Sequence, residues 1–127
     1  FLLFLHIMTI LLILLKISIF LAIMNVWILR VNKPTSFRGG MANSMKEEFM
    51  TYKLPQWSLY AVGATKITCA LLILLSIWLP SLFFYSGIIM LFLMCGAILM
   101  HIRIKDSFTK SIPALSMAFL LLIILSF

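Results

Sequence analysis

The sequence predicts an all-α integral membrane protein, an antiparallel four-helix bundle with one short amphipathic interfacial helix between spans one and two. Three observations predict it. Of 127 residues, 65% are hydrophobic and 10% charged, where a soluble domain is about 45–50% apolar and about 25% charged. A chain this small exposes too much surface to hide that excess. The apolar residues gather into four runs long enough, or nearly so, to cross a hydrocarbon core of about 30 Å. Most of the ten Lys and Arg fall between those runs. A soluble enzyme, a disordered chain and a disulfide-stapled scaffold are excluded together, the last because the chain has two cysteines.

Span one covers about 1–29 and is interrupted by Lys16 and a few small polar residues. Its length allows tilt or an overhang. It has no basic stretch and no small-residue cleavage site before Lys16, so it is expected to be a retained span and not a signal peptide. Span two covers about 57–79 and ends at Pro80; span three covers about 81–101. The Leu79-Pro80-Ser81 turn between them is short enough to make them antiparallel neighbours. Span four covers about 111–127, with Pro113 in the first turn, where a missing N–H does little harm. The whole of 1–127 reads as a single transmembrane domain.

Basic residues set the expected orientation. Arg30, Lys33, Arg38, Lys46 and Lys53 lie between spans one and two, Arg103, Lys105 and Lys110 lie between spans three and four, and the Pro80 turn has none. By the positive-inside rule loops 30–56 and 102–110 are cytoplasmic. The net charge of +7 reads as a collar facing anionic lipid headgroups. Nucleic acid is not an expected partner, because the charges are divided between two membrane-bound loops.

The segment 30–56 is too long to be featureless. Asn32-Lys33-Pro34-Thr35 and Arg38-Gly39-Gly40 are loop signals, and Ser44-Met45-Lys46-Glu47 fits a capping box in which Ser44 and Glu47 satisfy each other's backbone N–H groups. A helix over 44–53 follows. Met41, Met45, Phe49 and Tyr52 would share one face at 100° per residue. Leu54-Pro55 stops it, and Phe49, Tyr52, Trp57 and Tyr60 are the expected anchors at the membrane boundary. Such a helix is either a lid on one mouth of the bundle or a gate for a substrate or partner.

Ionisable side chains within a span are candidates for function, because they are costly there. Lys16 and Lys66 qualify, while the three acids, Glu47, Glu48 and Asp106, all lie in loops. Lys66 must snorkel, shed its charge, meet Glu47 or Glu48 at the boundary, or face an anion from outside the chain. Ser58, Thr65, Cys69 and Ser76 form a small-polar seam on span two. Gly87, Met90, Met94, Ala97 and His101 share a face of span three, and His101, Arg103 and Asp106 cluster at its end, where Asp106 can also cap the last helix.

No complete catalytic constellation is present. Cys69 and Cys95 stand alone on separate spans and read as buried thiols; His6 and His101 lie toward opposite faces and make no haem pair. There is no phosphate-binding glycine loop, no His-Glu-x-x-His and no Gly-x-Ser-x-Gly. No catalytic residue and no metal ligand is therefore assigned.

Phe37-Arg38-Gly39-Gly40, Met45-Lys46-Glu47-Glu48-Phe49, Leu54-Pro55-Gln56-Trp57, Val62-Gly63-Ala64-Thr65-Lys66-Ile67 and the run Gly96 to Asp106 together resemble the DoxX-like membrane proteins, over about 37–127. The Leu-Pro before span two and the His-x-Arg-x-Lys-Asp after span three are the more telling parts. The resemblance implies a four-helix bundle of a bacterial-type inner membrane, sometimes a subunit of quinone-linked sulfur or thiosulfate oxidation, sometimes an assembly factor. It carries no established catalytic set, and at Lys66 this chain departs from a position that is often acidic in the family. The expected function is a non-catalytic accessory or assembly subunit of a larger membrane complex, with lipids and other membrane subunits as partners. The alternative is a quinone- or lipid-binding component of a membrane redox system. Its candidate ligand or partner residues are Glu47, Glu48, Lys66, His101, Arg103 and Asp106; no cofactor is required by the sequence.

Overall fold

The computed structural model describes all of residues 1–127 and is all-α, with helices joined by loops and without a strand. Helix α1 (Leu2–Met24) continues into a π-helical turn, Asn25–Leu29. A short α2 (Met45–Thr51) follows, then α3 (Gln56–Leu75), α4 (Leu82–Arg103), a 3-10 turn (Phe108–Ser111) and α5 (Ile112–Leu125). Leu2–Leu29, Gln56–Leu75, Leu82–Arg103 and Phe108–Leu125 are each long and apolar enough to cross a membrane.

Large apolar side chains lie on the outside as well as in the core: Leu21, Phe92, Leu99 and Phe119 are each more than half exposed. In lipid that surface carries no penalty, so packing and hydrogen bonding, more than apolar burial, must join the helices. The core accordingly mixes branched residues with small ones. Ile19, Ala70, Ile73, Ser76, Met90 and Leu121 are fully covered. The covered hydroxyls are satisfied within their own helices: Ser76 Oγ donates to the Ile73 carbonyl and Ser86 Oγ to that of Leu82. On α3 the seam expected from sequence divides, since Cys69 and Ser76 face the core while Thr65 faces outward and returns its hydroxyl to Ala61. Both cysteines were expected to be buried; Cys69 is, but Cys95 is exposed, because its face of α4 meets no other helix.

Helix α1 outruns its neighbours. Lys16 Nζ donates to the Ser76 carbonyl at 3.3 Å and lies 5.4 Å from the Phe83 ring centroid, so it stands level with the turn between α3 and α4. Ahead of it, residues 1–11 are exposed on nearly every side. At the opposite end the two basic loops meet. Gly40 in the first donates its N–H to Asp106 in the second, and Lys110 Nζ donates to the Gly40 carbonyl.

Candidate functional site

The site begins where α1 loses its ordinary period. Arg30 N–H bonds the Asn25 carbonyl at 2.9 Å, five residues back, and its Nε donates to Asn25 Oδ1 at 3.2 Å. A π turn inserts one residue into the helical count and here accompanies the inward turn of Trp27, which is 7% exposed. The indole lies on Gly63 of α3, so close that a β-carbon there would come within 2.8 Å of the ring. One helical turn further along α3, Lys66 sets its Nζ 5.2 Å from the Trp27 ring centroid. Phe49 meets the indole edge-on, with centroids 6.1 Å apart.

The following loop winds around one side chain. Arg38 is 4% exposed, and its guanidinium donates to the carbonyls of Arg30 and Lys33 and, at 3.1 Å, to Glu48 Oε2. Helix α2 then starts at Ser44, whose Oγ accepts from Glu47 N–H at 3.1 Å. The reciprocal half of the expected capping box shifts by one residue: Glu47 Oε2 accepts from Asn43 N–H at 2.7 Å, not from Ser44. Met45, Glu48, Phe49 and Tyr52 are buried. Met41, expected on the same face, precedes the first helical turn and is 94% exposed.

Two lysines in left-handed backbone conformation close α2 and α4 in the same way. With Lys53 at φ 59°, Leu54 N–H returns to the Phe49 carbonyl at 3.1 Å; with Lys105 at φ 58°, Asp106 N–H returns to the His101 carbonyl at 2.9 Å. This double-bonded helix end folds Asp106 back beside His101. The carboxylate therefore does not cap the last helix, as the sequence suggested. It lies 2.7 Å from His101 Nδ1, accepts from Gly40 N–H at 3.1 Å and is 3.9 Å from Lys110 Nζ. Gly40 has φ +56°, a conformation that favours glycine.

These groups make one continuous hydrogen-bonded row, Arg38, Glu48, Tyr52, His101 and Asp106, which Lys110 joins as an ion partner of Asp106. Tyr52 links its halves, donating to Glu48 Oε1 at 2.6 Å with its oxygen 3.4 Å from His101 Nε2. Burial, with the charge of Glu48 and the hydrogen bond to it added, pushes the phenol up from its ordinary value of about 10. The folded-state value lies above the unfolded one, so the stability that Tyr52 contributes is complete below pH of about 10 and is lost as the pH rises further. We expect Tyr52→Phe to cost about 1.5–3 kcal/mol at neutral pH, because Glu48 loses a close donor. The deficit against wild type should shrink above pH of about 10, as read by thermal unfolding in detergent across pH. A difference that stays constant to the alkaline limit would contradict this account of the phenol.

Beside the row lies a cleft of about 660 Å³. Arg30, Arg38, Glu48, Lys66, His101 and Lys110 contribute its ionisable wall, and Met94, Met117 and Leu120 are part of its apolar one. Of the residues singled out from sequence, Glu48, His101 and Asp106 come together and Lys66 joins Glu48 and His101 at the cleft. Glu47 is spent on the start of α2, and Arg103 is exposed without a hydrogen bond. Trp57 and Tyr60 are exposed, at 71% and 65%. Phe49 and Tyr52, expected as anchors at the membrane boundary, turn inward instead: Phe49 packs against Trp27, and Tyr52 meets His101 edge-on at 5.8 Å between centroids. Sequence reasoning missed Trp27, Arg38, Gly40 and Lys110. The available signal was scarcity: with three acids against ten bases, any base fixed by a buried acid has to be sought around those three.

No curated protein and no solved structure matches the chain. The sequence pattern of the DoxX-like family matches residues 36–126, a stretch that holds α2 to α5 and, apart from Asn25, Trp27 and Arg30, every side chain of the site described above, so the chain belongs to the DoxX-like family.

Proposed function

We propose that this DoxX-like membrane protein binds a small amphipathic molecule of the quinone or lipid class in the cleft between α1, α4 and α5. One observation carries the reading: the cleft sets hydrogen-bonding side chains, Lys66, Glu48 and His101, against the apolar wall of Met94, Met117 and Leu120. Binding sites for such molecules are mostly apolar with a few polar groups that fix orientation. Lys66 offers donors and His101 Nε2 a further polar atom, while Glu48, held by Arg38 and Tyr52, lends its charge to the wall.

The same reading sets the four spans up and down in a bacterial-type inner membrane as a single domain, with α2 as an interfacial helix. The meeting of the two basic loops at Gly40 and Asp106 supports it, and by the positive-inside rule that end is cytoplasmic. Trp57 and Tyr60 at this end and Trp78 and Tyr85 at the other are all more than 60% exposed, as aromatic residues are at the two faces of a membrane.

Solvent extraction of the protein purified in mild detergent should yield a quinone or lipid in stoichiometric amount. Lys66→Leu and His101→Leu should each lower that content several-fold, while Lys46→Ala should not. Equal content in all four proteins would remove the cleft as the site.

A second reading, an accessory or assembly subunit, draws on the outer face of α3. Ala61, Ala64, Thr65 and Thr68 are exposed there in adjacent turns, and small residues let membrane helices approach closely. Native mass spectrometry from mild detergent should then show a larger membrane partner that Ala64→Trp strips away. A solitary chain in both preparations would end this reading.

A further inference from the structure

The charges on the cleft wall do not cancel. Arg30, Arg38, Lys66 and Lys110 face it with four cations, and Glu48 supplies the one carboxylate. Three of these cations are already engaged by the chain itself. Arg38 pairs with Glu48 at 3.1 Å, Lys110 lies 3.9 Å from Asp106 and donates to the Gly40 carbonyl, and Arg30 donates to Asn25 at 3.2 Å. Lys66 has neither a hydrogen bond nor an ion pair. Its contact is the Trp27 ring, 5.2 Å from Nζ to centroid.

An aromatic face attracts a cation but accepts none of its three hydrogen bonds in the way that an oxygen does. The chain has no acid left to offer. Glu47 is held at the start of α2, both oxygens of Glu48 are taken by Arg38 and Tyr52, and Asp106 is shared among His101, Gly40 and Lys110. Lys66 also stands ten residues into α3 from Gln56, about 15 Å along its axis at 1.5 Å per residue. At that depth an unpaired ammonium is costly, and such residues pair or mark a ligand path. Within the chain only the charge of Glu48, itself paired with Arg38, acts on Lys66 without touching it.

Resting on the binding role proposed above, we infer that the occupant is an anionic amphiphile, an oxyanion head on an apolar chain, whose head is met by Lys66 under the Trp27 indole. A fatty-acid carboxylate and a lysophospholipid phosphate share that chemistry. In either case Met94, Met117 and Leu120 offer the surface for the chain, and Lys66 donates to the head without displacing any existing pair. A neutral quinone meets the same donors but leaves the cation uncompensated, so it binds more weakly.

The test uses the full chain in nanodiscs of zwitterionic phosphatidylcholine, with occupancy read by native mass spectrometry. Five probes are compared: palmitate, methyl palmitate, oleoyl lysophosphatidic acid, monoolein and decylubiquinone. Each anion should bind at least tenfold more tightly than its neutral analogue and than the quinone. Lys66→Met should abolish that preference, Lys66→Arg should keep it, and Lys46→Ala should leave it untouched; thermal unfolding of each variant verifies that it is folded. Whichever anion binds more tightly identifies the source of the head. Equal binding of anions and neutral analogues, or a preference that survives in Lys66→Met, overturns the inference while the binding role stands. Failure of all five probes overturns both.

Discussion

Arg38→Ala should destabilise the folded protein by about 3–5 kcal/mol, the usual consequence of removing one partner of a buried ion pair. Arg38 and Glu48 have side chains that are 4% and 10% exposed, so water cannot replace what is lost. The Glu48 carboxylate would keep Tyr52 as its donor, and the Arg30 and Lys33 carbonyls would lose the guanidinium that gathers the loop around it. Amide exchange should rise from Val31 through Glu48, because Met45 N–H is tied to the Val31 carbonyl across this loop. Glu48→Gln should be milder, about 1.5–3 kcal/mol, since an amide oxygen still accepts but no longer neutralises Arg38. The double substitution Arg38→Met with Glu48→Leu should recover most of the loss, as apolar replacements of buried pairs often do. Thermal unfolding in one detergent at one pH makes the comparison. An Arg38→Ala protein within about 0.5 kcal/mol of wild type, the range of ordinary surface substitutions, would show that the loop does not depend on this pair.

The membrane-spanning part of the fold was legible in the sequence because lipid imposes a crude, one-dimensional requirement: a run of apolar residues must be long enough, and its backbone must bond to itself. The four runs met it. The start of α2 was legible for an equally local reason, since Ser44 and Glu47 stand three residues apart and act within one turn. What escaped depends on distance or on a change of period. Trp27 turns inward at a π turn, which a 3.6-residue reading of α1 cannot anticipate. The end of α4 was read for a cap because Asp106 precedes Ser107, yet Lys105 in the left-handed conformation sends the carboxylate back to His101. Phe49 and Tyr52 carry the composition of boundary anchors, and only their contacts with Trp27 and His101 reveal which way they face. Of the site itself, the acids and His101 were visible by type. Their partners Arg38, Gly40 and Lys110 were not, because pairings between segments up to 70 residues apart leave no trace in local pattern.

Asp106→Ala should have an effect nearly as large, about 3 kcal/mol, and for a different reason. Asp106 is the clasp between the two basic loops: one carboxylate serves His101 Nδ1, the Gly40 N–H and, at 3.9 Å, the Lys110 ammonium. Removing it leaves a buried imidazole, a backbone donor and a cation without their anion. Asp106→Asn should be intermediate, because its oxygen can still accept from Gly40 while the charge is gone. Exchange at Gly39 to Met41 should accelerate in both variants. The row of hydrogen bonds makes a stronger claim, that the two clasps are coupled through Glu48, Tyr52 and His101. Groups in one network interact by about 0.5–3 kcal/mol in double-mutant cycles, whereas independent sites add within about 0.3–0.5 kcal/mol. Arg38→Ala combined with Asp106→Ala should therefore cost less than the sum of the two, and the shortfall should vanish when Tyr52 is first changed to Phe. Strict additivity in the Tyr52 protein would mean that the 3.4 Å approach of the phenol to His101 transmits nothing. The polar end of the bundle would then be two separate locks, one closing the loop on α2 and one closing α4 on the loop, with the cleft between them.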